Sequence, residues 1–171
     1  TKRLRLVPFD LRLLLAAQAQ DRTALARFLK CSIAPGWPSE GVLNHQLPAQ
    51  IAALNEGTAL QWLGRLIVLR SPTTLIGVIN LKGAPDDNGR VEIGYEVVPA
   101  YRRQGLASEA ARALVGWCFG RPGAQAVRAR TLKSAEASIE MLKKLGFKRV
   151  GPQRDAVLGE RDGKRSEGVR L

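Results

Sequence analysis

The residues with the clearest chemical potential lie in one run, Val91-Glu92-Ile93-Gly94-Tyr95-Glu96-Val97-Val98-Pro99-Ala100-Tyr101-Arg102-Arg103-Gln104-Gly105-Leu106-Ala107-Ser108-Glu109-Ala110. Its first half has strand character and stops at Pro99. Its second half is a helical pattern that opens directly after a basic, glycine-containing loop. The start of a helix carries N–H groups without intrahelical partners and a partial positive charge. A loop that aims those groups at one point makes a site for a phosphate or pyrophosphate. Gly105 lets the backbone come close to such an anion, and Arg102 and Arg103 add charge at its rim. The same residues would also serve a plain strand–helix turn with surface arginines. The spacing is neither that of a P-loop nor that of the Gly-x-Gly-x-x-Gly dinucleotide fingerprint.

The elements that must hold this run can be read from periodicity. Leu4 and Leu6 alternate with basic residues, a short half-buried strand before Pro8. Over residues 10–29, Leu11, Leu14, Leu15, Leu25, Phe28 and Leu29 recur at helical spacing, with Asp21 a helix cap that divides the stretch in two. A second helix is expected over 48–55, with Pro48 in its first turn. The middle is β, over 61–70, 74–81 and 90–98, and the turn Asp86-Asp87-Asn88-Gly89 folds the last two into a hairpin. Helices follow over 104–119 and 134–145, the second ended by Gly146. Between and after them come strands over 127–132, 147–150 and 157–160, a turn at Asp162-Gly163 and a final strand over 166–171. The reading is a mixed α/β chain forming a single domain over residues 1–171.

Composition narrows the function classes. The chain has 171 residues, 27 Lys+Arg against 15 Asp+Glu, and a formal charge of +12. At 45% hydrophobic residues it has enough apolar surface for a core. The single histidine, His45, leaves too few ligands for a usual zinc site, so no metal is expected. Cys31 and Cys118 fit no redox or metal spacing, which favours a reducing, cytoplasmic setting. No apolar window is long enough to span a membrane. The charge suits an anionic partner, which nucleic acid, a ribosome, a membrane surface or a phosphorylated ligand would all satisfy, and it equally suits a set of solvated surface arginines.

The run Arg102-Arg103-Gln104-Gly105-Leu106-Ala107 resembles the acetyl-CoA signature Arg/Gln-x-x-Gly-x-Gly/Ala of GNAT-family N-acetyltransferases. Glu92-Ile93-Gly94-Tyr95 followed by Pro99 is similar to that family's central strand. Ala135-Glu136-Ala137-Ser138-Ile139, leading to Lys144-Leu145-Gly146-Phe147, is similar to its last helix and exit. Arg3-Leu4-Arg5-Leu6 and Glu109-Ala110 place the resemblance nearest the branch of ribosomal-protein N-terminal acetyltransferases.

The resemblance implies an α/β fold with a mixed, mostly antiparallel sheet, flanked by helices and splayed between the strands at 90–98 and 127–132. It implies acetyl transfer from acetyl-CoA to a primary amine, of a small molecule or a protein N-terminus, by direct attack. The backbones of Val97 and Val98 would pair with pantetheine. Arg102, Arg103, Gln104, Gly105, Leu106, Ala107 and Ser108 would hold the pyrophosphate. Glu92 would be the base, with Glu96, of the same strand parity, or water as alternatives. Ser138 would donate to the CoA sulfur. Leu142 stands where many relatives carry a tyrosine acid, and Ala135 where many carry an asparagine. A homodimer is one option, and nucleic acid is not an expected partner. The competing reading is a degenerate acetyltransferase fold whose basic surface binds ribosome or RNA; scattered aromatics, only 5% of the chain, speak against a nucleic-acid face.

Overall fold

The computed structural model describes residues 1–153 and 156–162. The elements follow the order β1 (Leu4–Pro8), α1 (Leu11–Gln18), α2 (Arg22–Leu29), β2 (Ser32–Ile33), α3 (Leu47–Asn55), β3 (Arg65–Arg70) and β4 (Thr73–Leu81). They continue with β5 (Arg90–Val97), α4 (Leu106–Phe119), β6 (Ala126–Leu132), α5 (Glu136–Lys144), β7 (Lys148–Gln153) and β8 (Ala156–Asp162). One sheet runs β1-β3-β4-β5-β6-β8-β7, with β2 added in parallel to β4. Along that path only β5–β6 is parallel; the other pairs are antiparallel. This is the expected α/β architecture. The expected strand over 166–171 lies outside the described residues.

The site depends on where that one parallel pair stops. β5 and β6 pair from Arg90↔Ala126 to Ile93↔Ala129 and no further. β5 then runs on to Val97, while β6 stays with β8 through Leu132. The sheet therefore opens from Gly94 onward, between the strands where the splay was expected.

Two local devices hold β5 at the opening. The β3–β4 register slips between Ile67 and Val68, which face Gly77 and Leu75, so Ile76 is the extra residue of a bulge. The Ile76 carbonyl accepts the Val98 N–H at 2.9 Å and ends the β4–β5 ladder. Next to it, Gly77 lies so close to β5 that an added Cβ would overlap the Glu96 carbonyl oxygen and sit 3.0 Å from the Val97 Cα. From the other side, α4 packs Ala110, Ala111, Leu114 and Cys118 into the core that also holds Val91 and Ile93 of β5 and Val127 and Ala129 of β6. Small residues on the helix allow the close approach; the apolar burial stabilises it by roughly 1.5–3 kcal/mol per large side chain.

The amino-terminal helices divide as expected. Asp10 and Asp21 cap α1 and α2 by accepting the N–H of Leu13 and Ala24, each at 2.8 Å. Leu11, Leu15 and Phe28 do not join the core, being 51%, 52% and 40% exposed. Each of these helices has only eight residues and buries one stripe, Leu13, Leu14 and Ala17 in α1 and Leu25 and Leu29 in α2. A π-helical turn over Val42–Gln46 precedes α3 and carries His45, exposed. Trp117 is half-buried rather than core. The Arg65 and Arg121 guanidinium groups lie over its ring, 4.3 and 4.6 Å from the centroid, and Trp62 meets it edge-on.

Candidate active site

A cleft of 630 Å³ lies along the end of β5, past the point where β6 parts from it. Its walls come from the end of β5, the loop into α4, the first turn of α4 and one side of α5 from Ala137 to Lys144.

The loop into α4 is shaped by two residues in the left-handed region, Arg103 at φ 58° and Gly105 at φ 74°. Gly105 is the helix cap, and no side chain caps it. At α1 and α2 an aspartate takes up one of the first free N–H groups. At α4 those donors stay available to a ligand, and they face the cleft through Gly105, Leu106, Ala107 and Ser108. Leu106 is 3% exposed, so it offers backbone and not side chain. Arg102 and Arg103 line the same end. Gln104 does not. Its carbonyl accepts Arg3 Nη1 at 2.9 Å, and its side-chain amide donates to the Ala100 carbonyl at 3.2 Å.

Arg3 anchors this loop from outside. Its guanidinium and its backbone N–H both donate to the Glu109 carboxylate, at 2.7 and 2.8 Å. Burial alone would raise the pKa of Glu109. Hydrogen bonds from Thr1 and Arg3 and the Arg3 charge outweigh it, bringing the group from 4.5 down to about 2. A depressed carboxylate stabilises the fold fully above its unfolded pKa and loses that contribution as pH falls through its folded one. Wild type should therefore lose stability more steeply than Glu109→Gln between about pH 4.5 and 2. Melting temperatures measured across that window check this; parallel curves would contradict it.

The edge of β5 is the second wall. Even-numbered residues of β5 turn their backbone toward β4, as the bonds Lys82 N–H to Glu92 carbonyl and Val98 N–H to Ile76 carbonyl show. Alternation then points the backbone of Tyr95 and Val97 into the gap, where β6 has left. The backbone of Val97 thus faces the gap. Val98 does not: its N–H is held by Ile76, and its carbonyl accepts the Tyr101 N–H at 3.0 Å. The position facing the gap that the sequence reading passed over is Tyr95. The Val97 carbonyl also accepts Arg102 Nε at 2.8 Å, which ties the basic loop to the strand edge.

The two acidic candidates separate. Glu92 is outside the cleft lining, its carboxylate paired with Lys82 and 3.6 Å from Arg130. Glu96 lines the cleft. Its carboxylate lies toward the start of the π-helical turn, 3.7 Å from where a Cβ on Gly41 would stand. Between them Gly94 faces open space, with no atom within 4 Å of an added Cβ. Glu96 therefore has room beside it for an incoming group. Ser138, in the first turn of α5, lines the far wall with Ala135. Burial raises the Cys118 thiol to about 11, which keeps it a core group and not a nucleophile. Among the described residues, no group of three or more His, Cys, Asp or Glu side chains is placed to hold a metal. No helix among them is long and apolar enough to cross a membrane.

The family described as Acetyltransferase (GNAT) domain matches residues 3–148. The chain is 33% identical over 151 residues to the uncharacterized N-acetyltransferase YjdG of Bacillus subtilis (strain 168), covering 86% of this chain and 87% of that protein. Its fold is similar to that of RimL, a ribosomal L7/L12 alpha-N-protein acetyltransferase, in complex with coenzyme A. The TM-score is 0.64 at 16% identity, covering 95% of each chain. It is also similar to the microcin C7 self immunity acetyltransferase MccE in complex with acetyl-CoA and AMP, with a TM-score of 0.63 at 14% identity, covering 95% of this chain and 93% of that one. A sheet that parts beside a glycine-capped basic loop, and a family match that spans both, lead to one conclusion: the chain belongs to the GNAT acetyltransferase family.

Proposed function

We propose that the chain moves an acetyl group from acetyl-CoA to a primary amine, on a protein N-terminus or a small molecule, by direct attack within a ternary complex. One observation carries this reading. A strand edge with backbone donors and acceptors leads directly to an uncapped, basic helix start. The first suits an extended amide-bearing arm; the second suits a pyrophosphate. Coenzyme A and acetyl-CoA in the RimL and MccE structures support the choice of ligand.

In this reading the backbones of Tyr95 and Val97 hold the pantetheine arm. Arg102, Arg103 and the N–H groups from Gly105 to Ser108 hold the pyrophosphate. Acetyl-CoA supplies the activated acyl group. Glu96 takes the proton that the attacking amine must lose, in preference to Glu92, whose carboxylate two cations already hold. The open space at Gly94 admits the amine. Ser138 donates toward the sulfur.

Saturating acetyl-CoA at about 100 times its Kd should raise the melting temperature by about 5–10 °C. An unchanged melting temperature at millimolar ligand would sink the reading. A turnover screen over N-terminal peptides, polyamines and amine antibiotics, read as free thiol, then identifies the acceptor.

A further inference from the structure

The Tyr95 hydroxyl is buried at the cleft and has no hydrogen-bond partner among the described residues. A buried phenol without a partner is unusual, because leaving such a donor unpaired costs free energy. Phe would fill the same volume without that cost. Its polar neighbour is Ser138, which lines the same cleft from α5 and whose hydroxyl works against burial on the phenol's ionisation. Burial pushes the phenol's pKa up, so it stays a donor across the working pH range.

Strand parity adds direction. Tyr95 and Glu96 are adjacent and point to opposite faces of β5. Both reach the cleft because the sheet is open there. A reacting group in the gap would have a carboxylate on one side and two hydroxyls on the other.

We infer that Tyr95 is a catalytic residue whose hydroxyl, together with that of Ser138, donates a hydrogen bond to the thioester sulfur as it leaves. This rests on the acetyltransferase reading above. The amine lone pair forms the new N–C bond on the side of Glu96. The C–S bond breaks, and its electron pair goes to sulfur on the side of Tyr95. The amine proton goes to Glu96. The thiolate leaves hydrogen-bonded to Tyr95, which keeps its own proton, and takes a proton from solvent after release. The unmet hydroxyl of the free protein thus gains its acceptor only when sulfur carries charge, which is the condition for accelerating the chemical step.

The test needs no acceptor amine. Coenzyme A is bound to wild type, Tyr95→Phe and Ser138→Ala, and the thiolate fraction is followed by ultraviolet absorbance across pH. Desulfo-coenzyme A measures affinity without the sulfur. Wild type should favour bound thiolate, and Tyr95→Phe should lower the thiolate-to-thiol ratio about tenfold or more. Affinity for desulfo-coenzyme A should be unchanged, and the free variant should melt no lower than wild type. Ser138→Ala should lower the ratio too, which keeps the proposal testable through the neighbouring group. Bound coenzyme A with the same thiolate ratio in wild type and Tyr95→Phe overturns the role of Tyr95 alone. Failure of wild type to bind coenzyme A at all overturns the acetyltransferase reading, and this role with it.

Discussion

Replacing Glu96 with glutamine is expected to lower kcat by about 10²-fold or more near neutral pH, the usual loss when a positioned base is removed. Acetyl-CoA should still raise the melting temperature of that variant. The defect should shrink as pH rises, because more of the amine is then already neutral. Glu92→Gln should change kcat by less than about 3-fold, since removing a partner from exposed cations has small effects. The contrast comes from the structure. Both glutamates project from the same face of β5, but Lys82 and Arg130 hold Glu92 while Glu96 faces the cleft. Steady-state kinetics on the acceptor found by the screen decide it. A large loss in Glu92→Gln with none in Glu96→Gln would reverse the assignment.

The second large effect is on folding. Gly77→Ala should destabilise the protein by about 3 kcal/mol, the upper range for forcing extra volume into a packed site. The added Cβ has nowhere to go: it meets the backbone of Glu96 and Val97, which cannot rotate aside as a side chain could. Relief requires β4 and β5 to part at the bulge, and that moves Glu96. Gly94→Ala is the control. Its Cβ enters open space, so stability should change by less than about 1 kcal/mol, within the range of ordinary strand substitutions. Its activity should fall nevertheless, because the methyl occupies the approach to Glu96. Urea denaturation of both variants tests the pair; equal midpoints would contradict the argument.

The sequence made the element order and the anion loop legible because both are local. Turn chemistry at Asp86 to Gly89, the Asp21 cap and the glycine at 105 act through their immediate neighbours. What stayed hidden depends on contacts across the chain. Glu92 and Glu96 have identical parity, and only Lys82, ten residues upstream, and Arg130 on another strand distinguish them. Gln104 belongs to the loop in sequence, but Arg3, just before the first strand, takes its carbonyl. Val98 follows Val97 in sequence, but the bulge at Ile76 takes its N–H. In the sequence Tyr95 is one letter of a motif; its unmet hydroxyl appears only once α5 is folded against the gap.

The bond from Arg102 to the Val97 carbonyl has a consequence for molecular length. It fixes the distance between the strand edge and the charged loop, so the two halves of the site behave as marks on a ruler. A ligand with both a phosphate group and an amide arm, separated by the right span, engages both marks for one loss of translational freedom. In the proposed reading, pyrophosphate alone or a pantetheine arm alone engages one mark and loses the gain that comes from joining them. An analogue with the arm shortened by a few atoms falls between the marks. In that reading, the charge that suits any anion selects one by its dimensions.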